Sequence, residues 1–198
     1  MGLLDGVRLL AVDTETTGMS PAAGDRLVEV AHVSLVNGAL AEDWSSLVRP
    51  GRPIPPDATR VHKITDAMVA SAPEPAVVAA QLRAACADLP LVFHNAPFDL
   101  PFLIHLFREA GTEPLLNPIV DTLGLARGLQ GTGGNSLGAL AARHGLPPET
   151  AHRALGDART TARLFLVLAR TWEEKNGIRT VAELAAASQD VMRATARR

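Results

Sequence analysis

The sequence predicts an α/β layer fold built on a mixed sheet, and three observations carry that prediction. Short apolar, β-branched runs bounded by turn residues fill the first third of the chain, and Asn37-Gly38 joins two of them as a tight hairpin. Beyond residue 70, amphipathic helical segments surround two more short apolar runs, at 91–93 and 119–120. At 198 residues and 47% hydrophobic, the chain has enough apolar material for one well-cored domain. Early strands with helices around them give the layers, and the early hairpin makes the sheet mixed.

Residues 7–12, interrupted only by Arg8, read as a buried first strand. Residues 19–25, with Pro21 and Gly24, form a loop. Residues 27–36 make the second strand, and after the Asn37-Gly38 turn residues 39–48 return as its partner, carrying Trp44. The three strands are sequential and antiparallel. Residues 50–56 hold too much proline for a regular element, and residues 59–69 suit short helical turns. Pro73 and Pro75 bracket the start of an Ala-rich helix over 77–88.

A short strand at 91–93 stops at His94-Asn95, and the apolar stretch 97–110 is a helix ended by Gly111. A proline in a helix interior costs about 3 kcal/mol. Pro101 therefore implies either a helix start near Asp99 or a kink. A strand at 119–120 leads into a helix over 122–128, and residues 131–135 form a mobile loop. Ser136 caps a helix reaching His144, which Gly145 and Pro147 end. The longest helix spans 154–175, with Ala158, Thr161, Ala162, Phe165, Leu168, Ala169 and Trp172 as its buried stripe. Asn176-Gly177 stops it, and Thr180 with Glu183 forms a capping box for a last helix to about residue 194, docked on the domain or on a partner.

Nineteen Lys and Arg face 21 Asp and Glu, so this is not a strongly basic binding protein. Set aside the carboxylates that a metal would neutralise, and the remaining surface is slightly basic, which suits a phosphate backbone. Nearly all the basic residues are Arg, with Lys63 and Lys175 the exceptions. The single Cys86 excludes an internal disulfide and a Cys-based zinc site. Asp5 and Arg8 break up the apolar residues at the start, so no signal peptide is expected. No segment approaches the ~20 apolar residues of a membrane span. The cytoplasm is the expected compartment, with no membrane association.

The chemistry centres on Val12-Asp13-Thr14-Glu15-Thr16-Thr17-Gly18. Side chains at i and i+2 of a strand share a face, so Asp13 and Glu15 emerge side by side at the strand end. Carboxylates that close repel each other, and a hard divalent cation between them removes the conflict. Asp99, in His94-Asn95-Ala96-Pro97-Phe98-Asp99, lies where a short strand hands over to a helix. It serves either as a cap for that helix or as a ligand facing Asp13 across two strand ends. In His152-Arg153-Ala154-Leu155-Gly156-Asp157-Ala158, one regular helix would hold His152 and Asp157 about 140° apart. Asp157 therefore sits on the helix and His152 on the loop before it. A loop histidine five residues from a carboxylate is a candidate general base.

Asp13-x-Glu15, then Asp99 in HNAPFD, then His152 and Asp157 in HRALGDA resemble the DnaQ-like DEDDh family of 3′–5′ exonucleases, most of all its proofreading (epsilon) branch. The segment Val61-His62-x-Ile64-Thr65, DTLGLAR from Asp121 and SLGALAARHGL from Ser136 also resemble that family. The likeness covers residues 8–175. Two departures are His62-Lys63-Ile64 where the family often has His-Gly-Ile, and Pro101 after Asp99. No clamp-binding peptide with an aromatic end is evident around Gln189.

The resemblance implies a ribonuclease H-like fold with a mixed five-stranded sheet flanked by helices. It implies an exonuclease domain over residues 1–177 and a C-terminal helical tail over 178–198. It also implies two divalent cations, Mg²⁺ or Mn²⁺, held by Asp13, Glu15, Asp99 and Asp157, with Asp13 bridging them and His152 as base. Thr14 and Gly18 would meet the 3′ end through their backbone, Asn95 would fix the turn beside Asp99, and Met19, Val61, His62 and Phe98 would hold the terminal nucleotide. The expected partners are single-stranded or frayed nucleic-acid 3′ ends, DNA favoured over RNA, and a DNA polymerase. RNA 3′-end trimming, as in RNase T or oligoribonuclease relatives, is the second reading, and an inactive nucleic-acid-binding module is the third. With 4% aromatic residues and no Tyr, only the last few nucleotides would be gripped.

Overall fold

The structure, a computed structural model, describes residues 2–196. Strands β1 (Arg8–Thr16), β2 (Leu27–Val36), β3 (Ala39–Leu47), β4 (Leu91–Phe93) and β5 (Ile119–Asp121) form one sheet in the order β3-β2-β1-β4-β5. The β1–β2 and β2–β3 pairs are antiparallel, as the hairpin requires, whereas β4 joins β1, and β5 joins β4, in parallel. The sheet is mixed and five-stranded, as expected. β1 continues past residue 12 because β2 pairs with it as far as Glu15↔Glu29 and Thr16↔Leu27, with a bulge between Glu15 and Thr16. Asp13 and Glu15 therefore lie within the strand and not at its end.

Eight α-helices are described: α1 (Pro56–His62), α2 (Asp66–Val69), α3 (Pro75–Cys86), α4 (Ala96–Glu109), α5 (Thr122–Gln130), α6 (Leu137–Arg143), α7 (Ala154–Asn176) and α8 (Val181–Ala196). A 3₁₀ turn at Pro21–Ala23 occupies the expected loop. The apolar alternation of β1 divides the core between two faces. Leu9 and Ala11 pack with residues of α5, α6, α7 and α8, whereas Leu10 and Val12 pack with α3 and α4. The predicted stripe of α7 is buried throughout, from Ala158 to Trp172. Ser136 Oγ accepts from the Ala139 N–H, and Thr180 and Glu183 exchange the two bonds of a capping box.

Helix α4 begins at Ala96, ahead of Asp99, so Pro101 lies inside it and not in its first turn. The early start is stabilised from outside the segment, because Asp121 satisfies the first N–H groups. Residues 131–135 are braced, with the Asn135 side chain donating to the Gly131 carbonyl oxygen and accepting from Gln130. Helix α8 lies on the domain itself, with Val181, Leu184 and Ala185 in the same core cluster as α7.

Candidate active site

β1 pairs with β4 only over Leu10↔Leu91 and Ala11↔Val92, so Asp13 and Glu15 project beyond the end of β4. That leaves a crevice outside the carboxyl ends of the parallel strands, the usual ligand position in open α/β sheets. By strand alternation Asp13 and Glu15 share the face of Leu9 and Ala11, which α7 covers. Asp157, in the first turn of α7, completes a trio with them. One carboxylate oxygen from each of Asp13, Glu15 and Asp157 lies within 4.8 Å of the others.

Asp99 arrives from the opposite layer on α4 and is buried, 4% exposed. It does not cap its helix. Its carboxylate accepts from Thr14 Oγ1 at 2.7 Å, so the residue between the two strand acids holds the fourth. Of the two expected roles, capping is not seen, and the buried Asp99 charge lies near enough to act on Asp13.

Four acids this close make one another hard to ionise. Burial first, then the charges of Asp99, Asp157, Glu15 and Glu29, raise Asp13 well above the ordinary carboxylate range. Burial and the Asp157 charge push Glu15 up to about 8. Burial raises Asp99 to about 7, against the opposing hydrogen bonds from Thr14. Asp157 is also raised by burial, with the bond from His152 opposing it. A divalent cation would relieve this repulsion, and the all-oxygen donor set suits a hard one.

These shifts make metal-free stability depend on pH. Carboxylates with raised folded pKa values bind more protons folded than unfolded, so stability falls as pH rises from the unfolded carboxylate range toward about 8. In EDTA the melting temperature should therefore drop between pH 4.5 and 8, and Mn²⁺ should restore it most at the alkaline end. A melting temperature in EDTA that stays level or climbs over that range would show that the acids are not in conflict.

His152 is exposed, immediately before α7, with φ of 57°, a left-handed conformation uncommon for a residue with a side chain. Two contacts hold it there. Its N–H donates to Asp157 Oδ2 at 3.0 Å, and the adjacent Arg153 is clamped by Glu29. Arg153 Nε and Nη2 donate to the two Glu29 oxygens at 3.0 and 2.6 Å, and the Ala154 N–H donates to Glu29 Oε2. Glu29 is buried on β2 directly opposite Glu15.

Glu29 escaped the sequence reading, although an acid inside the apolar run 27–36 was its signal: a buried charge demands a partner. Asp121 escaped likewise. It is buried, and its carboxylate accepts from the N–H groups of Asn95, Ala96 and Leu123. Asn95 takes φ of 73° at the N-terminus of α4, so its backbone makes the turn, and Asp121 fixes it.

The remaining expected site residues differ in their exposure and contacts. A Cβ at Gly18 would overlap the Asp25 carboxylate and push it from its place. That carboxylate accepts from Thr17 Oγ1, the Ser20 N–H and Arg52, and so shapes the loop that carries Met19. Met19 is 78% exposed and Val61 50%, so neither is core packing. Phe98 is half-buried, tilted against Phe102 at 5.6 Å between ring centres. His62 is 2% exposed, with Nδ1 accepting from the Ile64 N–H, and burial lowers its pKa. Thr14 is buried and its hydroxyl is committed to Asp99.

Comparison with known proteins gives one answer. An exonuclease family model, RNase_T, matches residues 10–165. A DNA polymerase III subunit epsilon-like protein of Rhodobacter capsulatus is 45% identical over 170 residues, 83% of this chain and 24% of its own length. The DNA polymerase III subunit epsilon of Treponema pallidum is 34% identical over 174 residues, 86% of this chain and 80% of its own. Among solved structures, exonuclease X in complex with 5′ overhanging duplex DNA superposes with a TM-score of 0.72 at 32% identity, covering 91% of this chain and 99% of that one. This chain thus spans about a quarter of the Rhodobacter relative and nearly all of exonuclease X.

Proposed function

This chain belongs to the RNase_T exonuclease family, and from that premise we propose that it removes nucleoside 5′-monophosphates from DNA 3′ ends, in proofreading or repair. The observation that carries the reading is the carboxylate cluster, three acids with oxygens inside 4.8 Å and Asp99 beside Asp13, set in the crevice of a family fold. Asp13, Glu15 and Asp157 would hold one divalent cation, and Asp13 with Asp99 a second. Bound there, Mg²⁺ or Mn²⁺ would supply the charge neutralisation that phosphoryl displacement needs.

The protein's own groups supply the rest. His152, on its exposed loop, takes the proton from the attacking water. Glu29 and Asp157 keep the His152 backbone in place, and Asp121 and Thr14 keep Asp99 aimed inward. Met19 and Val61, both exposed, would offer apolar surface to the terminal nucleotide together with Phe98, and Gly18 and Asn95 would border it. The DNA of the exonuclease X complex and the polymerase III relatives favour a DNA end as substrate and a polymerase as partner. The division at residue 177 into an exonuclease domain and a C-terminal helix belongs to the same proposal.

The test is nucleotide release from labelled single-stranded DNA, mismatched duplex and RNA in parallel. DNA ends should be degraded to 5′-monophosphates from the 3′ side, EDTA should stop the reaction, and Mg²⁺ or Mn²⁺ should restart it. Preference for RNA would replace the DNA reading with 3′-end trimming, and undiminished hydrolysis in EDTA would remove the metal.

A further inference from the structure

Strand β5 lies at the edge of the sheet, so some of its backbone groups face away from any neighbouring strand. Buried groups of that kind must find partners elsewhere. Two consecutive residues of α8 provide them. Gln189 Nε2 donates to the Ile119 carbonyl oxygen at 3.0 Å, and Ser188 Oγ accepts from the Asp121 N–H at 3.1 Å. Ser188 is wholly buried, and its hydroxyl proton goes to the Ala185 carbonyl oxygen at 2.9 Å. Helices α5 and α8 come this close because α5 presents glycine. A Cβ at Gly124 would run into the Ser188 carbonyl oxygen, and one at Gly128 would press on Val191 of α8 as well as on Trp172 of α7. Arg127 closes the far end by donating to Thr195 Oγ1.

Asp121 is held from both sides. Its N–H is bonded to Ser188, and its carboxylate holds the Asn95-Ala96 turn from which α4 starts. Asp99 lies one turn further along that helix. We propose that α8 is a working part of the acidic site, and that Ser188 is a positioning residue for Asp99, acting through Asp121. Without the Ser188 oxygen the Asp121 N–H loses its acceptor, β5 shifts at its end, and the first turn of α4 loosens around Asp99. The exonuclease reading enters only through the turnover measurement.

Ser188→Ala and Gln189→Ala, made in the full-length protein, separate this from simple destabilisation. Both weaken the hold of α8 on β5, but only the first touches Asp121. The readouts are Mn²⁺ affinity by calorimetry, amide hydrogen exchange at Asn95 and Ala96, and kcat with KM on a labelled single-stranded oligonucleotide. Ser188→Ala should lower Mn²⁺ affinity and kcat by severalfold, up to about the 10-fold lower end for a residue bonded directly to a metal ligand, because Ser188 acts through Asp121 and the Asn95-Ala96 turn. Its KM should stay within about twofold of wild type, and exchange at Asn95 and Ala96 should quicken. Gln189→Ala should lose similar thermal stability with none of these changes. Wild-type Mn²⁺ affinity and exchange in Ser188→Ala, or equal losses in both variants, overturns the proposal. If Ser188→Ala does not fold, Ser188→Cys keeps the shape with a weaker acceptor and is held to the same outcomes. A wild-type protein that binds Mn²⁺ but releases no nucleotide counts against the exonuclease reading, while the affinity and exchange data still decide this one.

Discussion

His152→Gly should keep Mn²⁺ binding and lose about 10²- to 10⁴-fold in turnover, the range for a missing general base. Glycine is the informative replacement, because position 152 has φ of 57° and glycine adopts that conformation without strain. The backbone N–H that donates to Asp157 is preserved, so the carboxylate keeps its support. The side chain is exposed, so free imidazole can reach the vacated space. Added imidazole should recover part of the rate, and calorimetry should give an unchanged Mn²⁺ affinity. Turnover near that of wild type without imidazole would show that another group handles the proton.

Asp13→Asn should move function and stability in opposite directions. Asp13 is the acid most crowded by its neighbours, with Asp99, Asp157, Glu15 and Glu29 all raising its pKa after burial. If Asp13 holds the cation as proposed, losing its charge should cost more than the ~10- to 100-fold seen for outer partners, and Mn²⁺ binding should fall with turnover. Yet the neutral amide relieves the repulsion, so in EDTA at pH 8 the variant should melt higher than wild type. Sites that hold strain for function commonly show this trade. A lower melting temperature in EDTA would mean that Asp13 is favourably partnered without metal, against the reading of its charge environment.

Much of this protein was legible in the order of its residues. Apolar alternation and Asn37-Gly38 gave the hairpin, helical spacing gave α7 with its stripe, and the capping pairs at Ser136 and Thr180 marked helix starts. These features are local, so short-range geometry decides them. Asp13-x-Glu15 showed two acids on one face for the same reason, because strand alternation acts over two residues. The groups that hold the acids in place were beyond such reading. Glu29 grips Arg153 and Ala154 more than 120 residues away, Thr14 meets Asp99 across 85, and the Asp121 N–H donates to Ser188 across 67. No residue pattern encodes those distances. They arise when β2, β1, β4 and β5 line up in one sheet and α4, α7 and α8 pack against it. Pro101 shows the same division. Propensity alone argues against proline inside a helix, but Asp121 secures the start of α4 from another strand and apolar packing of Phe102, Leu103, Leu106 and Phe107 holds the rest. The sequence by itself determined which acids are present and on which elements. Only the tertiary structure decided that all four converge, because convergence depends on packing between layers and not on spacing along the chain.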